Sequence, residues 1–281
     1  MKKLLLCSFL ICSPLYSFQT IKSMFSSVTP AKKPKVQMVK VNKQLDHRKI
    51  YKELFELGKD DTVDALVLMI DYQDGKPRDV CQLIDIVQVI QEKKPVIGFI
   101  LSEATGAGYL LAATTDYVTA HSKSYLGGIG HARAITRDRD LELKAKNGIN
   151  AKTSMEYITI GKYKNTYQIH APDITPEQRK RVEQDLQKLY NQSLTLVSQK
   201  RGLKKEDAHI WADGRIFSSE SSLKVGLIDQ VATFFDLEEI ALKLLKKKFP
   251  EKEFAQEIEL LFPKEEEKDK DKKEDDCKKK K

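Results

Sequence analysis

Gly106, Ala107 and Gly108 are three small residues set between two apolar runs, Pro95 to Leu101 (PVIGFIL) and Tyr109 to Ala113. That order reads as a strand, a tight turn and the start of a helix. A helix N-terminus presents unpaired N–H groups and the positive end of a dipole, a setting for a nucleophile or an oxyanion. Small side chains there let backbone or substrate come close. The same residues also fit a glycine-rich turn with no chemistry, so the surrounding elements have to decide.

Other chemistries find less support. The five His residues show no ligand spacing, so no metal site is inferred, and no cofactor is called for. Cys7 and Cys12 lie near the N-terminus, Cys81 and Cys277 lie far apart, and no disulfide framework follows. Net charge is +8, but Lys and Arg are spread among abundant Asp and Glu. The interleaving of basic and aromatic residues that single-strand binders use is not present, and nucleic acid is not expected as a partner.

The elements that must position the turn follow a regular order. From Asp46, Ile50, Leu54 and Leu57 mark one face of a helix. Asp64 to Ile70 (DALVLMI) is a nearly continuous apolar run, as in a strand buried on both faces. Asp71 to Pro77 is a loop by its Asp, Gly and Pro content. Val80, Leu83, Ile84, Val87 and Ile90 give a second amphipathic helix before PVIGFIL. After the turn and its helix come a third strand, Asp116 to His121, and a glycine-rich loop, Ser124 to Gly130. Glu156 to Ile160 reads as a further short strand. Thr175-Pro176-Glu177 is a helix start, with Thr as N-cap and Pro at the first position. That helix runs to about Lys200 with Val182, Leu186, Leu189, Leu194 and Val197 turned inward. Ala208 to Ile228 is mixed, and Leu237 to Leu245 forms a last apolar-faced helix. Alternation of this kind argues for an α/β domain with a mainly parallel sheet.

The ends differ from this core. Residues 1–17 read as a signal peptide or N-terminal anchor, with Lys2 and Lys3 before an apolar stretch, Leu4 to Cys12. A small residue usually precedes a lipidated Cys, and Cys12 follows Ile11. Residues 18–45, rich in Ser, Lys and Pro, read as a polar tether, and 46–249 as a single domain. Residues 250–281 read as a charged tail. Lys264 to Lys281 holds nine Lys, eight acidic residues and one Cys, too polar to offset the entropy of ordering.

From about Ala65 to Val231 the chain resembles the signal peptide peptidase A (protease IV) family. The resemblance rests on ALVLMID, TGAGYLLAATTD, LGGIG, GKYK (161–164) and ADGRIFSSESSLKVGLID (212–229), in the family's order. It implies a ClpP/crotonase-like fold, a curved β-sheet spiral flanked by helices, and assembly into a homo-oligomeric ring. It also implies a Ser–Lys dyad in which a Lys of lowered pKa takes the serine proton. By position the general base falls on Lys164. Oxyanion or substrate contacts fall on Gly75, Ala107, Gly127 and Gly128.

The nucleophile departs from the family pattern. Aligned without gaps, Gly106 takes the place of the serine. With one residue inserted in the turn, Thr105 takes it instead, though such a shift rotates a helical side chain by about 100°. Ser102, at the strand end, is a weaker candidate. The family's SPGG loop is replaced by Tyr72-Gln73-Asp74-Gly75, which brings a carboxylate toward developing negative charge. The serine that contacts the Lys aligns with Gly128. Three readings stand. One is an exported peptidase acting at the membrane, on its extracytoplasmic side, on residual signal peptides through Thr105 and Lys164. The second is a pseudo-protease that only binds peptides. The third, a crotonase-like acyl-CoA enzyme, rests on the superfold alone.

Overall fold

A computed structural model describes residues 32–43, 46–74, 77–135 and 173–263 of the 281-residue chain. Its centre is three parallel strands: β1 (Lys35–Asn42), β2 (Ala65–Tyr72) and β3 (Val96–Thr105). Alternate side chains feed two separate cores. Leu66, Leu68, Ile70 and Tyr72 of β2 face one, while Ala65 and Val67 face the other. Burial on both faces explains why ALVLMIDY is nearly all apolar rather than alternating.

Helices cover both faces. On the first lie α1 (His47–Lys59) and α2 (Pro77–Lys93), with Ile50, Leu54, Val80, Leu83, Val87 and Ile90 inside the core. On the second lies α7 (Leu237–Lys248), which buries Leu237, Ile240, Ala241 and Leu245. Each fully buried Leu or Ile contributes about 1.5–3 kcal/mol relative to exposure. The short helix α3 (Ala107–Thr114) follows β3 directly and is buried at every residue.

β3 is where the sheet divides. Its first half pairs with β4 (Tyr117–Ala120) from Ile97 to Ile100. Its end pairs on the same side with β5 (Tyr125–Gly127) from Glu103 to Thr105. Between them the register against β2 shifts, from Ile70 opposite Ile100 to Tyr72 opposite Ala104. The extra residues in β3 bend it there, as bulges do. β5 continues to antiparallel β6 (Ile216–Ser218), and β4 to β7 (Gln230–Val231). This division gives the spiral character of the ClpP/crotonase-like fold.

The remaining helices are α4 (Pro176–Arg201), α5 (Ala208–Trp211) and α6 (Ser219–Lys224). Helix α4 begins as the sequence indicates. Thr175 Oγ1 accepts from Gln178 N, Gln178 Oε1 accepts from Thr175 N, and Pro176 follows the cap. Of its expected inner residues, Val182 and Val197 are buried, but Leu189 is exposed.

Three expectations change. Residues 35–42 are not tether. Val36 and Met38 enter one core, Val39 and Val41 the other, and β1 pairs with β2 over its length. The domain also passes Phe249, because β8 (Glu259–Leu261) pairs with β1, and Lys32 bridges to Phe254. Within the loop expected at Ser124 to Gly130, residues 125–127 form β5. No helix among the described residues is long and apolar enough to cross a membrane. Residues 1–17, the expected strand at Glu156 to Ile160 and Lys264 to Lys281 lie outside the described residues.

Candidate active site

Thr105 closes β3 and Gly106 caps α3, so the register of β3 against its neighbours sets the geometry of the turn. Gly106 adopts φ 53° and ψ −117°, a conformation that L side chains rarely take. A sharp strand-to-helix turn of this kind lifts its central residue out of the sheet, the setting in which hydrolases expose a nucleophile. Gly106 N donates to Gly127 O at 2.9 Å, and its carbonyl accepts from Leu110 N at 3.1 Å. The turn is fixed from both sides.

Gly108 accounts for the closeness of α3 to the sheet. A Cβ built there would lie 2.2 Å from the Tyr72 carbonyl oxygen. The late motif elements hold the same region. Tyr109 buries its hydroxyl and donates to Leu227 O at 2.7 Å, and burial pushes its pKa up. Asp229 accepts from Val118 N at 2.7 Å and from Arg201 Nη1 at 2.8 Å. Asp116 accepts from Val96 N at 2.8 Å. The GLID and ATTD segments therefore brace α3, β3 and β4 rather than line the turn.

The candidate residues separate into three groups. Thr105 is 5% exposed, and its hydroxyl is engaged twice: it accepts from Asp74 N and donates to Glu103 Oε1, both at 2.9 Å. Ser102 donates to the Asp71 carboxylate. Ala107 lies in the first turn of α3, where N–H groups precede the helical ladder. Gly127 and Gly128 both have positive φ, and Gly128 sits over the turn, its built Cβ 3.4 Å from Gly106 N. Gly128 N–H donates to Arg215 O at 2.9 Å, so that amide is committed to the ADGR segment rather than to an oxyanion. Asp213 and Arg215 pair beside it, and the guanidinium holds the Asp213 carboxyl below its usual range. Lys164 and Gly75 lie outside the described residues.

Asp74, whose carboxylate the sequence reading brings toward the site of developing charge, lies against the turn. It has φ 50°, the one positive φ at a non-glycine residue among those described. Its Oδ1 would lie 3.0 Å from a Cβ on Gly106. The carboxylate thus stands where a nucleophile's side chain would start.

Two further residues come from distant parts of the chain. His131, just after the Gly128 turn, and Ser193, on α4, join Gly106, Ala107 and Leu110 around a cavity of about 20 Å3. That is room for a water molecule. His131 Nε2 lies 2.9 Å from Ser193 Oγ. On the outer side, His131 also borders an open groove of about 400 Å3 with Glu183, Tyr190 and Asp213. The helical pattern placed Leu194 rather than Ser193 inward. Nothing local marks His131, so only the fold joins the pair. Among the described residues, no three His, Cys, Asp or Glu side chains come together as a metal site.

The sequence profile of peptidase family S49 matches residues 88–248, which span the turn, the Lys164 motif and the ADGR and GLID elements. A candidate protease of Methanocaldococcus jannaschii is 31% identical over 193 residues, covering 69% of this chain and 58% of the relative. A candidate protease of Synechocystis is 28% identical over 181 residues, 64% of this chain and 62% of the relative. The chloroplastic serine protease SPPA of Arabidopsis thaliana is 25% identical over 167 residues, 59% of this chain and 24% of its own length. The chain therefore spans less than two thirds of these curated relatives. Among solved structures, a variant of the 1510-N membrane-bound stomatin-specific protease superposes with a TM-score of 0.50 at 15% identity. The overlap is 83% of this chain and 98% of that one, and it bears on the fold alone. By the profile match over more than half its length, the chain belongs to peptidase family S49, that of the signal peptide peptidase A and protease IV enzymes.

Proposed function

We propose that this chain holds extended, apolar peptides at the Gly106 turn and does not run the family's Ser–Lys hydrolysis there. The observation that carries this reading is the turn itself. Gly106 has the backbone of a nucleophile turn and no side chain, while Asp74 directs a carboxylate at the vacant position. Negative charge at that point opposes an oxyanion formed by a nucleophile at position 106, and the first-turn amides of α3 are the donors left to a peptide. The acyl-CoA reading loses its ground once the chain falls in a peptidase family. An exported chain at the extracytoplasmic membrane face, with residual signal peptides as ligands and copies joined in a ring, completes the proposal. The apolar N-terminal stretch and the family's habits are its support.

A second reading keeps catalysis, with Thr105 as nucleophile and Lys164 as base. In its favour, the Thr105 hydroxyl already donates to a carboxylate, Glu103, within reach of its proton. One experiment separates the two. A fluorescein-labelled apolar signal-type peptide is titrated with purified protein by anisotropy and then followed by mass spectrometry. Saturable binding is expected, with any turnover unchanged in Lys164→Ala. Turnover abolished by Lys164→Ala or Thr105→Ala establishes the second reading instead, and no saturable binding defeats the first.

A further inference from the structure

Opposite the Gly106 turn, α4 places a serine against a histidine. Ser193 is 5% exposed, in the middle of the helix, and its Oγ lies 2.9 Å from His131 Nε2. Both side chains line the small cavity together with Gly106 and Ala107. Ala107 belongs to the first turn of α3, where amide hydrogens point out of the helix. A nucleophile, a base within hydrogen-bond reach and candidate oxyanion donors thus share one cavity, away from the family's dyad positions.

We propose that Ser193 and His131 form a nucleophile and general-base pair acting on an acyl group whose carbonyl takes the place of the one water the cavity at the Gly106 turn can hold, its chain lying in the adjoining groove of about 400 Å3. The inference rests on the reading of that turn as the peptide site. Ser193 Oγ attacks the carbonyl carbon as its proton passes to His131. The tetrahedral oxyanion lies toward the Ala107 end of α3. On collapse the bond to the leaving amine breaks, and His131 returns the proton to it. Water then attacks the acyl-serine ester, gives its proton to His131, and releases a carboxylic acid with Ser193 restored. Burial lowers the His131 pKa, so the ring is neutral and able to accept a proton at neutral pH. Glu183, Tyr190 and Asp213 border the groove on its outer side, and Ser193 meets the ring from within.

An alkyl fluorophosphonate tests the pair directly, because it phosphonylates activated serines. Intact protein is treated with the probe, and the modified residue is located by tandem mass spectrometry. The expected result is label on Ser193, at a rate that rises through one ionisation below the ordinary histidine pKa and then levels off. His131→Gln keeps a polar group and should slow labelling at least tenfold. The pH profile of the unaltered protein gives the same reading should that variant fail to fold. No label on Ser193, or labelling indifferent to pH and to His131→Gln, overturns the proposal. Peptide anisotropy with Ser193→Ala keeps the two readings apart. Binding without labelling removes the pair and spares the peptide site. Labelling without peptide binding removes the peptide site and leaves the pair.

Discussion

Asp74 and Gly106 are matched to one another: the carboxylate Oδ1 stands 3.0 Å from the point where a side chain at Gly106 would begin. Asp is among the residues that tolerate a left-handed backbone, and at φ 50° Asp74 uses that tolerance to reach the turn. Its own N–H holds the Thr105 hydroxyl. The two departures from the family pattern are therefore one local arrangement. A serine restored at Gly106 meets a carboxylate, and a glycine restored at Asp74 finds no nucleophile.

Gly106→Ser alone is expected to lower stability by about 1–3 kcal/mol, the cost of a side chain at such a backbone, and to leave an apolar peptide uncut. Gly106→Ser combined with Asp74→Gly relieves the crowding and the charge. Cleavage that appears in the double variant and depends on Lys164 is expected. Urea unfolding and a fluorogenic peptide assay check both points. A single variant as active as the double one would remove Asp74 from the argument.

Gly108→Ala tests the seating of α3. A methyl group 2.2 Å from the Tyr72 carbonyl oxygen cannot be accommodated without moving α3 away from β2. Overpacking of this kind costs about 1–3 kcal/mol or more. A urea midpoint within error of wild type would show that the helix moves freely, contrary to its complete burial.

Tyr109→Phe removes the hydroxyl that joins α3 to Leu227 O and leaves a buried carbonyl without that donor. A loss of about 1–3 kcal/mol is expected by denaturant unfolding. The variant should still bind peptide, because the hydroxyl points away from the Gly106 turn into the GLID segment. Peptide binding lost with full stability retained would place Tyr109 in the site instead.

The parts of the fold legible in the sequence are those with an unbroken period. DALVLMI, the Val80 to Ile90 helix and PVIGFIL became β2, α2 and β3 because burial on one or both faces wrote itself into every position. β1 escaped because Lys, Ser and Pro around it set the composition of the window, although KVQMVKVN alternates correctly for two cores. The Gly106 turn was legible by position. Thr105 and Asp74 were legible there as well, but their hydrogen bonds were not, because the Asp74, Thr105 and Glu103 contacts depend on how β2 and β3 end side by side. His131 and Ser193 are 62 residues apart and carry no shared spacing. Only α4 crossing the Gly128 turn brings them together.

His131 also makes stability depend on pH, with a definite sign. Burial lowers its pKa in the folded chain below the ordinary 6.5. The unfolded chain therefore binds the proton more readily than the folded one. Stability is then fully present above the ordinary histidine range. It falls as pH drops past that range and levels off below the depressed folded value. Thermal melts between pH 7.5 and 5 should show the midpoint falling on acidification, with part of that fall absent in His131→Gln. Carboxylates such as Asp60 and Asp236, held low by hydrogen bonds, lose their contribution at more acid pH, through the carboxylate range. A difference between wild type and His131→Gln that grows below pH 4 rather than between 7 and 5 would assign the effect to them. A midpoint that rises on acidification toward pH 5 would mean that His131 gains a proton on folding, which its burial opposes.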